Sequence, residues 1–204
     1  MEHLSRRKRA RYRAELMSSF PPFLLFVLAT ASVVSGTTVW RYDLESLSLQ
    51  AERILVGQCT SSNTEIARGA LFTRVVVVVD EVVKGVESNQ VILRLPGGQA
   101  NGRQLRVAGM PTFVPGERVV LFLTEEDPSH GAWPLGLAQG KFRIERRGAA
   151  KEAEVFQDLR GLSFPNEGAA KKTADRGPAS RRSLKGFLRQ VRTILGEAGI
   201  HDAR

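Results

Sequence analysis

Cysteine is all but missing: Cys59 is the one sulfhydryl in 204 residues, so no intramolecular disulfide can form. The fold therefore rests on its core and hydrogen bonds rather than on covalent staples. Histidine is nearly as scarce. His3, His130 and His201 fall in the N-terminal region, a turn and the C-terminus, and none has a partner at metal-ligand spacing. That excludes a zinc site of the usual His and Cys type. There is no Gly-x-Ser-x-Gly elbow, and no histidine in a strand position to serve Cys59 as a base. The glycine-rich stretch Pro96-Gly-Gly-Gln-Ala-Asn-Gly102 lacks a following Lys-Ser/Thr and is no phosphate loop. No internal repeat is visible. Aromatics are few, at 7% of residues, and no lipobox precedes Cys59.

The formal charge of +9 suggests nucleic acid, but its distribution does not. Residues 1–36 hold six Lys or Arg against two Asp or Glu, residues 37–140 nine against eleven, and residues 141–204 fifteen against eight. The positive charge thus sits at the two ends, and specific nucleic-acid recognition is not expected.

What is present is clearest at the N-terminus. Six basic residues from Arg6 to Arg13 precede an uncharged run over residues 17–40, whose strongly apolar part, residues 23–34, is twelve residues long. That length suits a secretory signal, whereas a membrane span needs about 20 apolar residues. Residues 1–36 are read as a signal peptide cut before Thr37, with Ala29-Thr-Ala31 as a second cleavage candidate. The alternative is an uncleaved signal anchor over residues 20–39. Ser5-Arg6-Arg7 hints at a twin-arginine signal, but Lys8-Arg9-Ala10 lacks the apolar pair, so the general secretion route is expected. The protein would then be periplasmic or extracellular, or, with the anchor kept, bound to the inner membrane.

Residues 37–165 carry one domain. Asp43 caps a short helix with Leu44, Leu47 and Ala51 on one face. Short strands then recur between Gly and Pro signals: 54–59, 71–83, 90–95, 103–108, 118–123, 133–137 and 140–145, with residues 60–70 as a polar loop. Residues 155–164 add a strand or hairpin. Residues 166–182 read as a flexible linker, and 183–199 as an amphipathic helix capped by Ser183, with Leu184, Phe187, Leu188, Val191, Ile194 and Leu195 on one face. Its basic side could touch a membrane, although docking on the domain is the commoner use of such a stripe.

This pattern predicts a mainly β fold: a small antiparallel OB-like or Greek-key barrel with a short N-terminal helix and a C-terminal amphipathic helix. In that reading the run Val75-Val-Val-Val-Val79 is a strand that bends and is buried on both parities near a bulge. A central strand with helices on both faces is the rival account.

Candidate chemistry is thin. Asp80 and Glu81 are neighbours on a strand, expected to point to opposite faces. Glu117 and the acidic turn Glu125-Glu126-Asp127 complete the carboxylates from which a hydrolase could be assembled by the fold. Gly136-Leu-Ala-Gln-Gly-Lys-Phe142 exceeds ordinary turn chemistry, and either a close backbone approach or the rim of a groove would explain it. No residue is assigned a catalytic, cofactor-binding or metal role, and no cofactor is expected.

The order of the segments resembles a widespread group of small, uncharacterised exported bacterial proteins. The resemblance rests on Ile54-Leu-Val-Gly57, Glu81-Val-Val-Lys-Gly85, Pro96-Gly-Gly98, Pro115-Gly-Glu117, Val120-Leu-Phe-Leu123 and Gly136–Phe142, and spans most of residues 43–195. The strand, Lys-Gly turn and strand pattern is also similar to the OB-type barrel of netrin-like modules and tissue inhibitors of metalloproteinases. Those inhibitors use a mature N-terminal cysteine, which Thr37 does not supply. The resemblance implies a barrel and no catalytic residues. The function expected is an exported, non-catalytic binding or accessory module of the cell envelope, holding a protein or glycan partner. Membrane contact through residues 20–39 or the basic helix is the alternative, and a hydrolase ranks behind both.

Overall fold

The computed structural model describes residues 37–127, 131–146, 152–165 and 181–200. The expected signal peptide, residues 1–36, and residues 166–180 of the expected linker lie outside the described residues. In chain order the first elements are β1 (Thr37–Thr38), α1 (Leu44–Gln50), β2 (Arg53–Ala67), β3 (Ala70–Lys84), β4 (Gln90–Pro96), β5 (Gly98–Ala100) and β6 (Arg103–Leu105). After them come β7 (Arg118–Leu123), a 3-10 turn (Leu137–Gly140), β8 (Lys141–Arg146), β9 (Ala153–Gln157), β10 (Leu162–Ser163), β11 (Arg182–Ser183) and α2 (Leu184–Glu197).

Seven strands form one antiparallel sheet in the order β11-β9-β8-β7-β2-β3-β4. Its spine is the β2–β3 hairpin, closed by Arg68 and Gly69 at φ of 50° and 79°. Residues 60–67, expected as loop for their polarity, are the outer half of β2. A ladder draws on backbone donors and acceptors alone, so polar side chains continue it where neither face is deeply covered. The 103–108 segment is also corrected. Only Arg103–Leu105 is strand, all exposed, in a two-stranded hairpin with β5.

Both faces of this sheet are buried. Ile54 and Val56 of β2, Val120 and Phe122 of β7, Phe142 and Ile144 of β8 and Val155 of β9 meet the helices on one face. Leu55, Cys59, Val119, Leu121 and Leu123, of the opposite parity, join Val75, Val77, Val91, Leu93 and Leu95 in a second core. Phe113, Ala132 and, in part, Met110 pack against that second face. The helix face is organised by three rings: Phe142 and Phe187 lie 4.7 Å apart between centroids, and Phe122 lies 5.5 Å from Phe142. Asp43 caps α1 through Ser46 N, and Ser183 caps α2 through Gly186 N, as their spacing predicts.

The expected OB-like or Greek-key barrel is overturned. The edge strands β4 and β11 form no ladder with each other, so the sheet is open. The physical reason is the two-sided burial. A small barrel has one packed interior, whereas here adjacent residues of β2 and β7 feed separate cores on opposite faces. The rival reading of a central, doubly covered strand is nearer, except that helices cover only one face.

The valine run keeps its alternation. Val75 and Val77 are fully buried, whereas Val78 is 42% exposed. The changeover comes just beyond the run. Gly57 pairs with Val79 and Val56 with Glu81, leaving Asp80 as an extra residue in β3. Val79 accordingly packs on the second core and Val83 on the first, although both are odd-numbered.

The membrane reading is corrected as well. Among the described residues no helix is long and apolar enough to cross a membrane. The apolar stripe of α2 is spent on the sheet, with Phe187, Leu188, Val191 and Leu195 buried. Most of the proposed anchor, residues 20–36, lies outside the described residues.

Candidate functional site

The segment Gly136–Phe142 explains itself from the backbone outward. Gly136 and Leu137 take φ of 64° and 63°, turning the chain into the 3-10 turn at Leu137–Gly140. Gly140 lies so close to its neighbours that a Cβ there would meet Leu135 N at 2.5 Å and Phe122 O at 2.7 Å. Between them Gln139, 2% exposed, accepts from Tyr42 N at 2.8 Å and donates to Trp40 O at 2.9 Å. A buried amide with donor and acceptor both used clamps the segment ahead of α1 to the sheet. Close backbone approach, one of the two readings of this motif, is therefore present.

The other reading, the rim of a groove, begins one residue later. Strand alternation sends Phe142 and Ile144 to the helix face and Lys141 and Arg143 to the opposite one. Lys141 is 7% exposed, and its Nζ lies 2.7 Å from Glu117 Oε2 while also donating to Thr112 O. The ammonium also stands 4.3 Å from the Phe113 ring centroid. Burial pushes the Lys141 pKa below the ordinary lysine value, and the Glu117 carboxylate pulls it partly back. Glu117 is as deeply placed, with a side chain 6% exposed, and its other oxygen lies 2.7 Å from Arg143 Nε. Cys59 is hydrogen-bonded into the same turn, with its N–H donating to Glu117 O at 2.9 Å. Burial first, and then the nearby Glu117 charge, raise its pKa, so this thiol stays protonated and is a poor nucleophile.

Lys141, Glu117 and Arg143 wall a cleft of about 590 Å³ between the 106–112 loop, β8 and the 158–161 turn. Four cations, Arg106, Lys141, Arg143 and Arg160, face two acids, Glu117 and Asp158. Asp158 is held by Arg160, whose Nε donates to Oδ1 at 2.8 Å, and that hydrogen bond is the chief cause of its lowered pKa. Both acids are thus neutralised within the cleft. Arg143, with a side chain 41% exposed, forms an ion pair with Glu117 through Nε, which is buried and lacks hydrogen-bonding geometry to the described residues, and no hydrogen bond to them engages its terminal nitrogens. Arg106 is exposed and makes no ion pair with a described residue. Across the same loop lies a second cleft of about 300 Å³. It shares Arg106, Val107, Met110, Pro111 and Thr112 with the first, and Ser62, Thr64, Thr73, Gln99 and Gln104 line its far side.

The carboxylates singled out in the sequence are not gathered into one site. Asp80 Oδ2 lies 2.7 Å from Arg118 Nη2, and Glu81 pairs with Arg192 of α2. Because Asp80 is the bulged residue, both neighbours reach the helix side, which corrects the expectation of opposite faces. With Glu87 they line a shallow recess of about 580 Å³. Glu117 belongs instead to the cationic cleft. Glu125, Glu126 and Asp127 are exposed at a tight turn where Gly131 N donates to Asp127 O at 2.7 Å. Among the described residues no three His, Cys, Asp or Glu side chains are placed to hold a metal. The cations of the cleft were missed. Their signal was the alternation of Lys141 and Arg143 with Phe142 and Ile144 in one strand, which puts two charges on a face that must be either solvated or paired.

Among the described residues these features define an open seven-stranded antiparallel sheet, with two helices on one face and a charged cleft on the other. No protein-family model, curated protein or solved structure matches the chain. The resemblance to an exported family with a netrin-like or metalloproteinase-inhibitor-like barrel is withdrawn, since the sheet does not close and no match supports it.

Proposed function

We propose that this protein is an exported, non-catalytic binding module of the bacterial cell envelope, and that its partner is held in the cationic cleft. The observation that carries the proposal is the contrast within that cleft. Its wall is fixed by the buried Lys141–Glu117 pair, while the terminal nitrogens of Arg143 and Arg106 have no hydrogen-bond partner among the described residues. Binding sites commonly combine such a rigid support with a few available polar groups. The basic segment and twelve-residue apolar run at the N-terminus support export by the general secretion route.

The test is a photo-crosslinking residue placed in the protein, in its exporting cell, at position 114, an exposed valine that lines the cleft, with position 86 on a distant turn as control. A reproducible adduct at 114 that disappears in the Arg143→Ala background supports the reading. Equal labelling from both positions, or none, overturns it.

A hydrolase stands second because the bulge brings Asp80 and Glu81 into one recess. Each is already occupied by an arginine, which leaves neither in the shared-proton arrangement of a catalytic dyad. A hydrolytic activity of the purified protein that vanishes in the Asp80→Asn/Glu81→Gln double variant would put the enzyme ahead.

A further inference from the structure

Resting on the binding reading, we infer that the occupant of the cleft is an acidic glycan. Arg143 and Arg106 would hold a carboxylate or phosphate group, and the uncharged sugar hydroxyls that follow would lie along the second cleft.

Charge selects the anion. Among the described residues Glu117 is matched by Lys141 and Arg143 Nε, and Asp158 by Arg160 with the Arg143 charge nearby, so the donors left without a hydrogen bond in this cleft include those of Arg143 and Arg106. A guanidinium with two free terminal nitrogens grips a planar carboxylate or a phosphate by paired hydrogen bonds. Arg143 is also oriented in advance, by its Nε contact to Glu117 and by the Phe156 ring 5.6 Å from its guanidinium carbon. Fixing such a side chain before the ligand arrives lowers the entropic cost of binding.

The second cleft then distinguishes among polyanions. Its charged lining is Arg106 alone, and the remaining polar groups are hydroxyls and amides. The side chains of Ser62 and Gln104 have no hydrogen-bond partner among the described residues. A nucleic acid would bring a phosphate at every residue and would need a continuous cationic track. An oligoglutamate would likewise carry a charge at each step. An anionic group flanked by neutral, hydroxyl-rich units matches one cationic lobe joined to one hydroxyl and amide lobe. Both clefts are partly open to solvent and share Arg106, Val107, Met110, Pro111 and Thr112 on the wall between them, so an occupant of one lies next to the other.

The experiment is calorimetric titration of the purified exported protein with four probes. These are a neutral oligosaccharide bearing a single uronic acid, its methyl ester, the same oligosaccharide bearing a single phosphate, and oligoglutamate. The inference expects binding of the uronate-bearing or the phosphate-bearing oligosaccharide, and the stronger of the two identifies the anion. It expects no binding of the ester, and an affinity loss of about tenfold or more in Arg143→Ala, the scale of one lost charged contact. Arg106→Ala, an exposed position that leaves the buried pair untouched, should weaken binding similarly. Ser62→Ala/Gln104→Ala should weaken the glycan and spare oligoglutamate. Equal or tighter binding of oligoglutamate overturns the glycan assignment, and equal binding of the ester overturns the anion. If the position-114 adduct forms but no probe binds, this inference fails and the binding module survives. If neither occurs, the binding module fails with it.

Discussion

Lys141 Nζ stands 2.7 Å from Glu117 Oε2, with the two side chains 7% and 6% exposed. A pair this deep has given up its hydration and is held by mutual attraction, the Thr112 carbonyl and the Phe113 ring. Removing one partner strands the other charge, at a cost of about 3–5 kcal/mol, whereas replacing both with apolar groups of similar size is often neutral. Lys141→Met and Glu117→Leu should each lower the denaturant midpoint sharply. The double variant should recover most of the loss, because Arg143 is exposed enough to stay solvated. Additive losses in the double variant would show that the two groups do not act as a pair.

Gly140 and Gly196 should respond to alanine in opposite directions. At Gly140 the new methyl would sit 2.5 Å from Leu135 N and 2.7 Å from Phe122 O, both backbone atoms that cannot step aside. Gly140→Ala must therefore shift β7 or the 3-10 turn and should cost more than about 2 kcal/mol, as overpacking does. Gly196, inside α2, would place a methyl group with no neighbouring atom within 4 Å, and its φ is not positive. There alanine only restricts the unfolded chain, so Gly196→Ala should stabilise by about 0.4–1 kcal/mol. Thermal unfolding of the two variants reads both signs.

Local features were legible and their coverings were not. Val91, Leu93 and Leu95 alternate in β4 as their spacing requires, and Asp43 and Ser183 announce the two helices by capping. The apolar run 118–123 also declared a buried strand. What the run could not say is that its two parities enter different cores, because a doubly covered open sheet and a bending barrel strand share one hydrophobic pattern. The outer half of β2 was hidden for a related reason: with neither face deeply covered, nothing apolar marks it. Lys141 was hidden because its burial depends on Glu117, 24 residues away in the chain, and pairing at that range leaves no local trace.

Asp43 offers a pH test confined to one helix end. Its Oδ1 accepts from Ser46 N at 2.7 Å, and that hydrogen bond is the main cause of a carboxyl pKa below its ordinary value of 3.8. A folded pKa depressed below the unfolded one gives stability that is present above the unfolded value and lost as pH falls through the folded one. Asparagine caps comparably without titrating. The difference in stability between the native protein and Asp43→Asn should thus be constant near neutrality and move against the native protein below about pH 4. Asp43→Ala should cost about 1 kcal/mol at neutral pH. A difference that stays flat down to about pH 2 would show that the carboxylate form is not what holds the cap.

Val77 and Val78 separate the two accounts of the valine run. If the run were buried on both parities, shortening either side chain would open a cavity. In the structure Val77 is fully buried in the second core, while Val78 is 42% exposed on the stretch of sheet that the helices do not reach. Val77→Ala should therefore cost about 1.5–3 kcal/mol, the value of burying that side chain. Val78→Thr, which keeps the β-branch, should fall within about 0.5 kcal/mol of the parent. Deleting Asp80 provides the complementary test. Without the extra residue, Val83 would be carried to the opposite face and Lys84 would lose its register with Ile54. The deletion should then unfold the helix-side core, seen as lost Phe122–Phe142–Phe187 ring contacts in the aromatic NMR spectrum. A folded deletion variant with those contacts intact would show that the bulge at Asp80 is not what sends the two halves of β3 to different cores.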